Sequence, residues 1–309
     1  MRALVTGASG GVGAVLVGEL LRRELDVVAF GRSEERIREA GIGADVPVAL
    51  GDVVQGRGLA RALDGIDTAF YLVHSMESSS ADFAGDELRG AERFAAAARD
   101  AGVRRVVYLG GLVPQDKPLS RHLASRLAVE EVLLDAAPEA VAFRASIVVG
   151  PRSRSFRFLV RLVERVPVLP LPSWRDHRTQ PIDERDLLAY LGAAATSPAV
   201  GGPLSLDIGG PDVVTYGGLV EEIRESLLLG RPAIGLPCSL TPVASRVVAA
   251  ITGEDVGLVE PLMESLESDL LPRDDRALEV FPEVRLHRFA AAVERALRQW
   301  EAVEPLAGR

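Results

Sequence analysis

Cysteine, lysine and histidine are scarce in this chain of 309 residues: Cys238 is the only cysteine, Lys117 the only lysine, and four histidines are present. A single cysteine excludes an internal disulfide framework and any cysteine-rich metal site, and fits a reducing compartment. A single lysine confines lysine chemistry to Lys117. No apolar run approaches the ~18 residues of a membrane-crossing helix, and the opening MRALVTG enters a strand pattern with no charged segment and apolar stretch before it. The expectation is a cytoplasmic protein with no membrane partner. Positive charge is also short, with 35 Lys and Arg against 44 Asp and Glu and a net charge of -9. Such a surface offers nothing to nucleic acid or anionic lipid, so a small organic molecule is the expected partner, and a homodimer is compatible with it. No metal site is expected.

Hydrophobic residues make up 48% of the chain and charged residues 26%, as in ordinary globular proteins. The length predicts one large α/β domain or two lobes. From Met1 to about Gly150, the apolar runs RALVT, DVVAF, VPVAL, TAFYLV, RVVYLG and VAFRASIVV alternate with helical spacing. That alternation predicts a doubly wound parallel sheet of the Rossmann type. The clearest helix spans about Asp86 to Ala101, with Leu88, Ala91, Phe94, Ala95 and Ala98 on one face and Gly102 at its end. After Arg152, Pro167, Pro170 and Pro172 forbid one continuous helix and open a second region. The expected division is a dinucleotide-binding domain at 1–150, a return to the sheet at about 176–210, and a smaller, mostly helical substrate-binding or lid region within 151–309. Thr215 is expected to cap a helix running to about Leu229.

Thr6, Gly7, Ser9, Gly10, Gly11, Val12 and Gly13 fall between the first strand and a helix of about Val12 to Leu25. Glycines there let the backbone approach a pyrophosphate closely, and the helix start adds about half a positive charge. The second strand ends AFGRS, so Arg32 and Ser33 stand where an NAD-selective site offers an acid to the ribose 2′-hydroxyl. Arg32 can fork onto a 2′-phosphate, which favours NADP(H); the alternative is a solvated residue ahead of a Ser33 cap. Asp52 and Val53 end the third strand and suit adenine, although Asp52 also suits a loop cap. Leu72, Val73, His74 and Ser75 end the fourth strand beside the crevice where open α/β sheets bind ligands, with Met76 next on the substrate side. His74 is equally suited to satisfying backbone groups.

Together TGASGGVG, GRS, Gly51-Asp52, AAAARDAGVRRVVYLGGL, PIDERDLLAYL and DIGGPDVVTYGGL resemble the short-chain dehydrogenase/reductase superfamily, in its extended and atypical branches, which include NmrA-like proteins. The resemblance implies a Tyr-x-x-x-Lys pair on a helix and a Ser or Thr ending the preceding strand. In SRHLASRLAVEE, His122 stands at the tyrosine position and Arg126 at the lysine position, while Gly110 and Gly111 replace the hydroxyl residue. Residues four apart share a helical face, so His122 and Arg126 can address one ligand as candidate catalytic groups, or survive as relics on a helix that supports cofactor binding. The resemblance also implies that Arg144, Ala145 and Ser146 pass the nicotinamide, and that Gly111 and Leu112 face substrate. Trp174 and His177, in a group with Asp176, Arg178 and Gln180, could line a substrate pocket or form a solvated loop.

Three functions fit these residues. The first is an NADPH-dependent reductase of a carbonyl, enone or quinone, using His122 as acid and Arg126 as an electrostatic aid. The second is a regulator that senses NADP(H) without turning it over, as some NmrA-like proteins are thought to do. The third is a cyclase, dehydratase or isomerase on the same scaffold, with His122 or His74 as acid or base.

Overall fold

The computed structural model describes residues 1–73, 83–115, 117, 119–236, 263 and 266–306. Arg2–Thr6 (β1), Asp26–Gly31 (β2), Val48–Leu50 (β3), Thr68–Tyr71 (β4), Arg105–Gly111 (β5) and Glu139–Ala145 (β6) join the later strand Leu204–Ile208 in one seven-stranded sheet. Its spatial order is Leu204–Ile208, β6, β5, β4, β1, β2, β3, and every neighbouring pair is parallel. The order reverses between β1 and β4, which opens a crevice beyond their carboxyl ends. Successive residues of β1 serve opposite faces, as strand geometry demands: Ala3 and Val5 enter one core and Leu4 the other.

Gly11–Arg22 (α1), Glu34–Glu39 (α2), Leu59–Leu63 (α3), Phe83–Asp100 (α4) and Arg121–Leu134 (α5) supply the crossovers. On one face Leu59 and Leu63 of α3, Phe94 of α4 and Leu133 of α5 cover Leu4, Val28 and Val106. On the other, Leu16 and Leu20 of α1 meet Leu187 and Leu191 from the helix Glu184–Thr196 over Val5, Phe70 and Phe143. Phe281 also enters this second core, its ring centroid 5.7 Å from that of Phe143. The sheet's core therefore draws on residues far beyond position 150. A separate apolar cluster unites Phe156 and Val160 of the helix Arg154–Arg165 (α6) with Leu219 and Ile223 of Tyr216–Ser226 and with Val293 and Trp300 of Phe289–Glu301.

Several boundaries differ from the sequence reading for local reasons. α1 stops at Arg22, ahead of Glu24 at φ 61°, and α4 starts at Phe83 and ends before Gly102 at φ 68°. α6 forms ahead of the prolines, capped by Ser153 accepting from Phe156 N–H, and ends where Val166 turns extended before Pro167. Within the expected return at about 176–210, PIDERDLLAYL gives only the short extended pair Ile182–Asp183 beside Val148–Val149, and Leu204–Ile208 of PLSLDIGG is the part that joins the sheet beside β6. Thr215 caps its helix through Gly218 N–H, but the helix ends at Ser226 and Leu228 adopts φ 56°. Of the region after residue 230, the described helices are Arg276–Val280 and Phe289–Glu301. Among the described residues no helix is long and apolar enough to cross a membrane.

Candidate functional site

One cleft of about 580 Å³ lies along the carboxyl edge of the sheet, from the end of β2 past the glycine-rich loop to the ends of β5 and β6. Gly7 begins the loop at φ 66°, and a side chain there would bring Cβ to 2.6 Å from the Leu72 carbonyl oxygen. A Cβ at Gly13 would lie 2.3 Å from the Gly7 carbonyl, so the loop folds tightly onto the first turn of α1. Gly7, Ser9, Gly10, Gly11, Val12 and Gly13 all line the cleft. The first amides of α1 have no partners within the helix, Gly10 supplies no side-chain cap, and the helix dipole adds positive potential at the same place. This cradle fits a dinucleotide pyrophosphate.

Thr6 works from behind the loop, where its hydroxyl donates to the Phe70 carbonyl at 2.9 Å and accepts from Leu72 N–H at 3.3 Å, tying β1 to the end of β4. It shapes the turn and is not among the cleft-lining residues. Arg32 reaches the cleft from the end of β2 and is exposed, whereas Ser33 caps α2 by accepting from Arg36 N–H at 3.2 Å and lies outside the lining. Asp52 and Val53 line the cleft, and the Asp52 carboxylate also accepts from Gln55 N–H at 3.0 Å, as a loop cap does. Leu72 and Val73 line it as well. His74, Ser75 and Met76 lie outside the described residues.

At the far end, Gly110, Gly111 and Leu112 continue from β5, and His122 and Arg126 face them from one side of α5. The Ser120 hydroxyl starts that helix by accepting from Leu123 N–H at 3.2 Å, and Ser125 fixes its inner face by donating to the buried Glu87 carboxylate at 2.8 Å. Arg126 donates to the Leu109 carbonyl, sits over the Tyr108 ring at 5.5 Å, and its own carbonyl accepts from the Tyr108 hydroxyl at 3.3 Å. The guanidinium is thus held at the strand end as a fixed charge. Burial pushes the Tyr108 hydroxyl up to about 12 despite that charge, and burial raises Tyr71 as well. Both phenols stay neutral, and neither is among the cleft-lining residues.

Three expectations are corrected here. Arg144 turns away from the cleft: its guanidinium grips Glu130 bidentately, with bonds of 2.6–3.1 Å, and lies 3.6 Å from Asp207, so it ties β6 to α5 and to Leu204–Ile208. Its neighbours Ala145 and Ser146 do line the cleft, though the Ser146 hydroxyl donates to the Gln180 carbonyl at 2.9 Å. Trp174 is buried edge-on against Tyr216, and His177 Nδ1 is 2.8 Å from the Leu266 carbonyl; neither lines the cleft. Instead Tyr216 and Leu266, the residues these two support, reach it.

Sequence reasoning also passed over the segment after β6. Arg152, Ser153, Arg154 and Ser155 line the cleft, and the Arg152 carbonyl lies where a Cβ on Gly11 would come within 2.5 Å. The Arg152 guanidinium donates to the Ala40 carbonyl at 2.5 Å, joining this segment to the end of α2. In the sequence, a proline beside arginines marks only a break in the rhythm. Ile147, Phe158, Leu159 and Leu270 complete the far wall.

Residues 7–146 match the family model described as NAD(P)H-binding. Subunit 9 of the mitochondrial NADH dehydrogenase [ubiquinone] 1 alpha subcomplex from Arabidopsis thaliana is 28% identical over 80% of this chain and 62% of its own. Ceramide reductase from Caulobacter vibrioides is also 28% identical, over 64% of this chain and 62% of its own. This chain thus spans less than two thirds of the length of these relatives. Among solved structures, the UDP-glucose 4-epimerase of Thermotoga maritima superposes with a TM-score of 0.75 at 13% identity, covering 98% of this chain and 99% of its own. The Thermus thermophilus UDP-glucose 4-epimerase, in complex with NAD, gives 0.71 at 19% identity over 98% and 100%. These likenesses carry the fold, and the cradle and the matched model carry the nicotinamide cofactor. Residues 7–146 thus match an NAD(P)H-binding family, and the chain shares its fold with these structures.

Proposed function

We propose that this chain is an NADPH-dependent reductase of a carbonyl, enone or quinone-type small molecule, with His122 as proton donor and Arg126 as a fixed electrostatic partner. The observation that carries this reading is the placement of His122 and Arg126, one helical turn apart, on the wall of the same cleft that holds the glycine cradle. The bound nicotinamide supplies the hydride that adds to the substrate carbon. His122 supplies the proton that ends on oxygen and regains it from water; an imidazole titrates near neutrality and needs no lysine to lower its pKa. Arg126 cannot relay a proton, but its anchored charge stabilises the developing oxyanion. The arrangement thus replaces the tyrosine and lysine of the superfamily with two groups that divide the same work.

Arg32 supports NADP(H) over NAD(H), since it stands in the cleft at the end of β2 where an acid would select the ribose hydroxyl. The names of two relatives agree with a reductase: the ceramide reductase, and a ketoreductase of Stigmatella aurantiaca that is 33% identical over 35% of this chain. The changed tyrosine and lysine positions favour, as a second reading, a sensor that binds NADP(H) without turnover. The two separate in an assay of NADPH oxidation against ketones, enones and quinones. Turnover that His122→Ala abolishes, with NADPH affinity kept, supports the reductase. Tight binding with no turnover across the panel removes the reductase and leaves the sensor.

A further inference from the structure

We infer that the substrate is an uncharged molecule with a long apolar chain or ring system, held with its polar head at His122 and its tail in an arm lined by three separate apolar clusters. This inference names the substrate of the reductase proposed above and rests on that reading for the head group alone. The first cluster is Leu112, Leu123 and Leu270, which pack together although they come from the end of β5, from α5 and from a segment far along the chain. Leu123 follows His122 directly, so the arm begins at the proposed proton donor. Tyr216 and Leu266, buried with Trp174, form the second, and Phe158 and Leu159 of α6 the third. All of these except Trp174 face the cleft.

Two polar groups of this wall are already engaged. The Ser146 hydroxyl donates to the Gln180 carbonyl, and the Leu266 carbonyl is met by His177. Among the described residues of the segments that build the arm, the charged or titrating side chains that line the cleft are His122, Arg126, Arg154 one turn before Phe158, and Tyr216, whose phenol is kept neutral by burial; Asp86 of α4 also lines the cleft. Arg154 follows Arg152, whose carbonyl packs on Gly11, and so enters from the cradle side, where the cofactor's phosphates belong. The leucines, Phe158 and Tyr216 are already buried in the fold, so the arm is a preformed apolar wall and the gain on binding comes from the ligand's own apolar surface leaving water. Each ligand methylene buried against this wall should raise affinity about fourfold.

The test uses the full chain saturated with NADP+ and a series of straight-chain primary amides, which offer a carbonyl that cannot be reduced in the site, with binding measured by calorimetry. Kd should fall about fourfold per added methylene until the arm is full, and a terminal carboxylate on the same chain should weaken binding. Leu270→Asn should flatten the dependence on chain length. Affinity indifferent to chain length, or tighter binding of the carboxylate-ended chain, would overturn the inference. A parallel series of 2-alkanones with NADPH separates the two proposals. Chain-length-dependent amide binding without ketone turnover upholds the arm and removes the reductase. Turnover of short ketones with no gain from longer chains upholds the reductase and removes the arm.

Discussion

At the scale of single residues, the site depends on a few side chains whose roles can be separated by substitution. Arg32→Ala removes the one cation that β2 delivers to the cleft, and NADPH affinity should fall about tenfold to a hundredfold by fluorescence titration, as a charge-assisted bond implies, with NADH affinity nearly unchanged. Equal losses for both cofactors would contradict the 2′-phosphate assignment. His122→Ala should lower kcat by about 10²–10⁴ while leaving NADPH affinity intact. Arg144→Met should do the reverse: it leaves the buried Glu130 without its cation, while Asp207 keeps Arg273, and should cost about 3–5 kcal/mol in denaturant unfolding, with cofactor affinity retained in the folded fraction. The cleft positions of Arg32 and His122 were legible because a motif fixes their offsets from a strand end or a helix start. Arg144 was misread because a strand position alone does not say which face a long cation takes, and its partners are distant in sequence. Glu130 lies on α5, and Asp207 on the much later strand Leu204–Ile208.

At the scale of elements, the join between the sheet and the C-terminal region rests on Asp183. This fully buried carboxylate caps the helix Glu184–Thr196 by accepting from Arg185 N–H at 2.8 Å, pairs with the Arg185 guanidinium at 2.7 Å, and meets Arg295 of the last helix at 2.9 Å. Burial works to raise its pKa, but the bonds from Arg185 and the charge of Arg295 outweigh it and hold the carboxyl below its usual 3.8. A depressed pKa in the fold contributes stability above the unfolded value, and that contribution is lost as pH falls through the folded one. Asp183→Asn should therefore cost about 1–3 kcal/mol near neutrality, and the cost should shrink as the pH is lowered below about 4. Unfolding midpoints across a pH series would show it; a cost independent of pH would contradict the ionic role. Most elements were legible in the sequence, since parallel strands covered on both faces read as apolar runs and helices as spaced ones. The role of PIDERDLLAYL was not, because Ile182–Asp183 is too short to show a period, and the residues after it carry a cap signature that only the Asp183 contacts reveal.

At the scale of the whole molecule, one cleft joins parts of the chain that no local pattern relates. The cradle, Arg32 and the His122–Arg126 face come from the first half of the chain. The far wall needs α6, Tyr216, Leu266 and Leu270, and an apolar cluster outside the sheet's two cores seats α6 against the Tyr216–Ser226 and Phe289–Glu301 helices. The cofactor end was legible in the sequence because it lies within one strand-loop-helix unit and its successors. The substrate end was not, because its residues are scattered from Leu112 to Leu270 and share nothing but burial. The central claim is that a dinucleotide cradle and a histidine proton donor act on one substrate in this cleft. The most direct measurement is stopped-flow NADPH oxidation by the intact protein and by His122→Ala, each saturated with NADPH and mixed with a long-chain ketone. The account predicts rapid single-turnover oxidation by the former and a loss of about 10²-fold or more in the latter at unchanged cofactor occupancy. Equal rates in the two proteins would contradict it.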